Sequence, residues 1–331
     1  MRSLGFLNKL ELRDFVKARP ISTRVGGSTY SMVSPNHAAF DGRFHGIPEH
    51  LRSVLDNGGR LVVKHAYPMS TFGKYTYFLS RQEGQLHLHL PATGETWRGA
   101  KASTQLNRLA KKEVPDVYAQ YAEEPYLRQW VVEEAYQPAR LDGRIVETRH
   151  FITPFFGKKN WLLGGIGYLG HSDTRSVTTA LAGNHRVVDI MKQLYMHPDY
   201  GGHSEEKAHE LAHHWNQAAS GMALTLSERL HKSVSRQARV PFAGEGFKYA
   251  ARTQSPIWEE KDKVTLGHGW AVDSSPVWNP RTRRFDVALA EVQYWPEIRD
   301  FFEVHPEKRQ ELESRFAAMS AEKKLRLSKP D

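Results

Sequence analysis

The sequence predicts an α+β protein built mainly from antiparallel sheets, and three observations carry that prediction. Short apolar or alternating runs recur with turn signals between them, among them Leu61-Val62-Val63, Gln85 to Leu90 and Trp130 to Glu134. Asp142-Gly143 is a tight-turn dipeptide of the kind that joins antiparallel strands, and the strand-like runs Arg144 to Thr153 and Asn160 to Tyr168 follow it. Helical periodicity is confined to a few segments and does not alternate regularly with strands, which argues against a doubly wound parallel sheet.

In chain order, residues 1–55 are polar, punctuated by Gly and Pro, and show no clear element. Gly58-Gly59 precede the Leu61–Val63 strand, and Lys64 closes it. A turn-rich stretch runs from Pro68 to Lys74, and Tyr75 to Leu79 reads as the next strand. A helix is expected from Lys101 to Ala122, ended before Pro125. From Ser204 to Val234 the helical signal is strongest, because Ala208, Leu211, Trp215, Ala218, Met222, Leu226 and Leu230 recur at spacings of three and four. Residues 236–263 are mixed and turn-rich. Gly269 to Trp278 and Phe285 to Tyr294 read as strands joined by Asn279 to Arg283, and a charged helix from Pro306 to Leu325 follows. The expected division is a reduced N-terminal segment (1–55), a first α+β lobe (56–135), a second lobe (136–305), and a charged helix and tail (306–331).

Composition narrows the function. The 331 residues include eight Trp, thirteen Tyr and fifteen Phe, enough to fill a core. The absence of cysteine removes disulfides, Cys-based zinc sites and cysteine nucleophiles. No apolar run is long enough for a signal peptide or membrane span, so a cytoplasmic protein without a membrane partner is expected. The formal net charge of +9 suits polyanionic partners such as ATP, an acidic peptide or a nucleic acid.

Several residues could carry chemistry. With the last turn centred near Thr282, Asp273 lies across from Glu291, and Gln293 shares the face of Glu291 because side chains alternate. Two carboxylates and an amide then converge, a hard-oxygen set that suits Mg²⁺ on phosphate oxygens. Lys64 ends an apolar strand before the Ser70-Thr71-Phe72-Gly73-Lys74 loop, where a lysine and approachable backbone N–H groups can meet phosphate. Glu147 and Arg149 stand two apart on one strand and share a face, so the arginine is either a phosphoryl clamp or half of an ion pair.

In this order the pieces resemble the ATP-grasp superfamily of ATP-dependent carboxylate-amine ligases, over about Gly58 to Pro296. The resemblance implies ATP and Mg²⁺ held between two α+β lobes. It implies that Lys64 contacts phosphate, that Ser70, Thr71, Gly73 and Lys74 form the loop over it, and that Glu133 and Glu134 lie beside adenine and ribose. Arg149 would face the transferred phosphate, with Arg175 as a second candidate, and Asp273, Glu291 and Gln293 would hold the metal. The implied reaction activates a carboxylate as an acylphosphate and joins it to an amine or another nucleophile. Gln293 departs from the family's usual Asn, and the segment before Gly58 is short for a separate lobe.

Two other readings compete. His209-Glu210-Leu211-Ala212-His213 has the H-E-x-x-H form of a zinc peptidase, with Glu228 as a possible third ligand. Seventeen histidines make a chance match easy, and the apolar stripe through Leu211 and Trp215 leaves the pair to one side. Lys64 could also accept AMP covalently, as in nucleic-acid ligases, with Gly244-Glu245-Gly246-Phe247-Lys248 resembling a later motif of that family. The Asp-Gly expected soon after such a lysine is missing, since His65-Ala66-Tyr67 stands there.

Overall fold

The computed structural model describes residues 8–66, 76–112, 129–154, 160–170, 181–237, 256–260, 263–266, 269–294 and 296–327. Helix α1 (Lys9–Ala18) leads into strands β1 (Ser22–Val25), β2 (Ser28–Val33) and β3 (His37–Phe40) and helix α2 (Glu49–Asp56). Next come β4 (Arg60–His65), β5 (Thr76–Gln82), β6 (Gln85–Leu90), β7 (Glu95–Arg98) and α3 (Ala100–Lys112). Strands β8 (Trp130–Glu134), β9 (Arg140–Leu141), β10 (Arg144–Pro154), β11 (Asn160–Gly170) and β12 (Leu181–Arg186) precede helices α4 (Val187–Met196) and α5 (Glu205–Gln237). The chain continues through β13 (Ile257–Glu260), β14 (Lys263–Leu266), β15 (Trp270–Asn279), β16 (Arg284–Tyr294), α6 (Arg299–Val304) and α7 (Pro306–Leu327).

The strands form two main sheets. One has eight strands along the path β1-β2-β16-β15-β10-β11-β12, with β9 added to β10, and the other has six in the order β3-β8-β4-β5-β6-β7. Strands β13 and β14 pair separately. All described pairings are antiparallel except β16 with β2. The fold is therefore α+β with mainly antiparallel sheets.

Residues 8–55 belong to neither sheet alone. Strands β1 and β2 extend the larger sheet, and β3 closes the edge of the smaller one against β8. The β1–β2 turn is Gly26-Gly27, both in the left-handed region at φ 55° and 74°. A Cβ at Gly26 would also fall 2.2 Å from the His214 ring on α5, so that side chain would have to turn aside.

Strand alternation gives the larger sheet two different faces. On one, Ile152, Val272, Val287, Leu289 and Val292 pack beneath the α5 stripe of Trp215, Ala218, Met222, Leu226 and Leu230, with Ile190 and Leu194 of α4 beside it. The other buries Phe151, Ile166, Tyr168 and Ala271 against Phe301 of α6 and Leu312 of α7. Arg149 and Asp273 are direct cross-strand partners, as are Phe151 and Ala271, so both pairs lie on this second face. The smaller sheet has its own core, in which Leu61, Val63, Leu79, Leu88 and Val132 meet Leu51 and Leu55 of α2 and Leu106 of α3. Of the helix expected over 101–122, the part beyond Lys112 lies outside the described residues. No helix among the described residues is long and apolar enough to cross a membrane.

Trp215 is fully buried at the centre of the α5 stripe, whereas Met196 at the end of α4 is 41% exposed. Trp215→Ala should lower the unfolding free energy by about 3–5 kcal/mol, and Met196→Ala by less than about 0.5 kcal/mol. Urea unfolding of both variants checks the contrast, and similar losses in the two would contradict the assignment of this core.

Candidate active site

Helix α1 positions a set of charges between the two sheets. Its apolar side, Leu12 and Val16, joins the core of the larger sheet. Lys9 and Arg13, one helical turn apart, are buried with it. The helix start is fixed three ways. The Asn8 side chain caps it by accepting from Leu10 N at 2.8 Å and donates to Gln129 Oε1 at 2.7 Å. The Lys9 backbone N–H donates to Ala66 O, just past β4, at 2.7 Å.

Arg13 reaches both sheets at once. Its Nη1 and Nη2 donate to the carbonyls of Leu289 and Ala290 on β16 at 2.6 and 2.7 Å, and its Nε lies 3.4 Å from Glu133 Oε2 on β8. Those carbonyls mark a β-bulge. Ser274 pairs with Leu289 but Asp273 pairs with Glu291, which leaves Ala290 as the extra residue. Without it the ladder would place Ala290 opposite Asp273 and turn Glu291 to the other face. The parallel ladder from β2 stops at Ala288, and Arg13 serves the next two carbonyls.

The bulge sets Asp273, Glu291 and Gln293 on one face. Gln293 Nε2 donates to Glu291 Oε1 at 2.5 Å and to Asp273 Oδ2 at 3.1 Å, so a single amide spans the two carboxyls. Arg149 grips Asp273 from the neighbouring strand through Nε to Oδ1 at 2.6 Å and Nη2 to Oδ2 at 2.8 Å. Its guanidinium also lies 5.6 Å from the centre of the Tyr168 ring. The ion pair open for Arg149 is thus with Asp273 across the ladder. Lys9 Nζ is 3.5 Å from Glu291 Oε2.

Lys64 and Glu133 come from adjacent strands, β4 and β8, and form an ion pair. Burial alone would raise the Glu133 pKa, but Lys64, then Arg13 and Lys9, pull it down to about 2. Asp273 goes the other way: burial and the neighbouring Glu291 charge lift it against the pull of Arg149. Glu291 is held low despite burial, first by Lys9, then by the Gln293 amide and Arg149, and Lys64 also acts on it. Burial lowers Lys9 in spite of Glu291, while Asp273 keeps Arg149 firmly protonated against its own burial.

The donors here are hard: two carboxyls and an amide whose nitrogen and oxygen ends exchange by a half-turn. Asp273 and Glu291 are direct cross-strand partners bridged by the single Gln293 amide, so the two carboxyls and the amide are close enough to share one ion. The residues fit Mg²⁺ on that ground. Among the described residues no group of three or more His, Cys, Asp or Glu is arranged around a metal position.

Glu134 points away from Glu133, as successive strand residues do, and accepts from Asn36 Nδ2 at 3.0 Å. The two therefore do not share one face. Ser70, Thr71, Gly73, Lys74 and Arg175, like Gly244 to Lys248, lie outside the described residues. His209 and His213 do meet, with Nε2 atoms 3.1 Å apart on the exposed side of α5, but Glu210 turns to Lys207 at 2.7 Å. Sequence reasoning missed Lys9, Arg13 and Tyr168. The signal for the first two was present in Asn8 as a cap, the Leu12–Val16 stripe, and two cations at a spacing of four beside it.

No protein-family model matches the chain, and no curated protein matches it. Among solved structures it is similar to the D-alanyl-alanine synthetase A of Vibrio cholerae O1 biovar eltor, at 12% identity and a TM-score of 0.37, covering 88% of this chain and 56% of that one. It is also similar to an N5-carboxyaminoimidazole ribonucleotide synthetase described as an ADP complex, at 8% identity and a TM-score of 0.34, covering 88% and 45%. The chain spans about half the length of these solved chains. Neither likeness assigns a residue or an activity to it.

Glu133→Gln leaves Arg13 and Lys64 without their buried carboxylate and should cost about 3–5 kcal/mol at pH 7. The depressed Glu133 contributes stability that is present above its ordinary value of 4.5 and lost as pH falls through about 2. The variant should therefore show a flatter fall in stability across that window. Denaturant unfolding at pH 7, 4.5 and 2.5 checks it, and parallel pH profiles would contradict the linkage.

Proposed function

We propose that this chain is an ATP-dependent ligase of the ATP-grasp type, activating a carboxylate as an acylphosphate and passing the acyl group to an amine or another nucleophile. One observation carries the reading: the bulge that turns Glu291 onto Asp273 and places Gln293 across both, with Arg149 and Lys64 in electrostatic reach. A hairpin that only had to be stable would not set a buried carboxyl, Asp273, beside a half-buried one, Glu291, on one face. Their use is to hold Mg²⁺, which when bound neutralises charge on the nucleotide phosphates.

In this reading the protein positions and neutralises, and the bonds change between substrates. Lys64, fixed by Glu133, supplies a point charge for the polyphosphate. Arg149, fixed by Asp273 and lying by the Tyr168 ring, offsets charge growing on the transferred phosphoryl group. The substrate carboxylate oxygen attacks the γ-phosphorus, and ADP leaves. The second nucleophile then attacks the acyl carbon, loses a proton, and expels inorganic phosphate. Ser70, Thr71, Gly73, Lys74 and Arg175 remain candidates for the phosphate loop and a second arginine, and Glu134 for the adenine and ribose edge, while Glu133, on the opposite face, is engaged by Lys64 and Arg13. The basic chain favours an acidic peptide or a nucleic-acid-linked acceptor as second substrate.

The nucleotide product tests the class. ADP and phosphate are expected, whereas AMP, or an AMP adduct on Lys64, would favour the covalent nucleic-acid ligase. Against that reading, a buried carboxylate engages the Lys64 amine, which is not presented free. Within the ligase reading, Lys64→Ala should weaken ATP binding in the folded protein, beyond the stability lost with the Glu133 ion pair. Arg149→Ala should cut ADP formation by about a hundredfold or more, with much less loss of ATP affinity. A destabilised but fully active Arg149→Ala protein would remove the catalytic role and leave Arg149 as a structural partner of Asp273.

A further inference from the structure

Every oxygen of the Asp273–Glu291 pair already has a donor. Arg149 holds both oxygens of Asp273, with Gln293 sharing Oδ2, and Gln293 holds Oε1 of Glu291 while Lys9 approaches Oε2. A divalent cation entering between the carboxyls must displace one of these groups. The Arg149 grip is bidentate and cross-strand, and the Gln293 amide can present its oxygen without leaving. Lys9 makes the longest contact, at 3.5 Å, through a single ammonium on a flexible stem. Turning the Gln293 amide frees Oε1 of Glu291 but leaves Lys9 on Oε2, so Lys9 is the group that must move for a cation to take both oxygens of that carboxyl.

Charge makes the same point locally. The Lys9 ammonium stands 3.5 Å from Glu291 Oε2, so a bare divalent ion seated on that carboxyl would be repelled by it, whereas the anionic phosphates that accompany a nucleotide-bound ion would offset the repulsion. The main chain of Lys9 is tied to Ala66 O, so the ammonium is delivered to Glu291 by the anchored start of α1.

We propose that Lys9 is a built-in counter-ion that keeps a divalent cation off Glu291 until a nucleotide polyphosphate arrives with it. The inference rests on the metal–nucleotide reading above and adds control of loading to it: metal and nucleotide enter together. Lys9 is thereby a positioning residue for the site.

The test is Mn²⁺ binding to the nucleotide-free full chain, followed by the electron paramagnetic resonance signal of free Mn²⁺. Lys9→Met keeps the stem and removes the charge, and should bind Mn²⁺ more tightly than the wild type by on the order of tenfold or more. Lys9→Gln should do the same with a polar tip, which guards against a folding defect in one variant. Lys9→Arg should stay within about twofold of the wild type. Adding Glu291→Gln to Lys9→Met should abolish the gain, and a non-hydrolysable ATP analogue should narrow the difference between wild type and Lys9→Met. Equal affinities for wild type and the uncharged variants, with Glu291→Gln weakening both, would overturn the counter-ion and leave the metal reading intact. Mn²⁺ binding that Glu291→Gln does not alter in either background would overturn both.

Discussion

The Arg13 guanidinium is the contact on which the arrangement of the two sheets and the alignment of the site both depend. It is 1% exposed and satisfies two carbonyls at the β16 bulge while meeting Glu133 on β8. A buried cation of this kind must be surrounded by acceptors, and acceptors drawn from two sheets tie those sheets to one helix. The bulge is what turns Glu291 towards Asp273. The N-terminal helix, remote in sequence from the last hairpin, therefore supports the geometry of that hairpin.

Around this contact the charges divide into two groups joined by α1. Glu133, Lys64 and Arg13 form a closely matched set that holds the carboxylate ionised. Asp273 and Glu291 share Gln293 and are less well matched, with Asp273 raised and Glu291 lowered. The first group has the character of a structural clasp that also fixes Lys64. The second sets two carboxyls and an amide on one face with shifted acidities, the kind of arrangement that concentrates at functional sites. Lys9 connects them, since its own burial opposes its charge while Glu291 favours it.

Much of the second group was legible in the sequence because hairpin arithmetic is strict. A turn centred on Thr282 pairs Asp273 with Glu291, and the structure has that pair. Yet the ladder nearest the turn pairs Asn279 with Arg284, half a residue off that centre, and the bulge at Ala290 restores the alignment further along. Nothing in the local pattern announces the bulge, and the residue that satisfies its carbonyls, Arg13, is nearly the whole chain away. Strand β8 and the long helix were equally plain, the first as a continuous apolar run and the second through its spacing of three and four. The segment before Gly58 was opaque for a physical reason. Strands β1, β2 and β3 are short pieces at the margins of the sheets with one or two buried positions each, and in α1 the buried residues include Lys9 and Arg13, which sequence patterns count as surface. The β13–β14 hairpin falls in or beside the stretch read as mixed and turn-rich, and its four-residue strands are too short to show a period.

The central claim is that the carboxyls aligned by the bulge are the metal–nucleotide seat, and locating a bound ion tests it most directly. Crystals grown with Mn²⁺ and a non-hydrolysable ATP analogue would show the ion by its anomalous scattering. The account predicts an anomalous peak between the Asp273 and Glu291 carboxyls, with the Gln293 amide oxygen turned towards it. A peak at His209 and His213 with none at the hairpin, or a nucleotide bound away from Lys64 and Arg149, would contradict it.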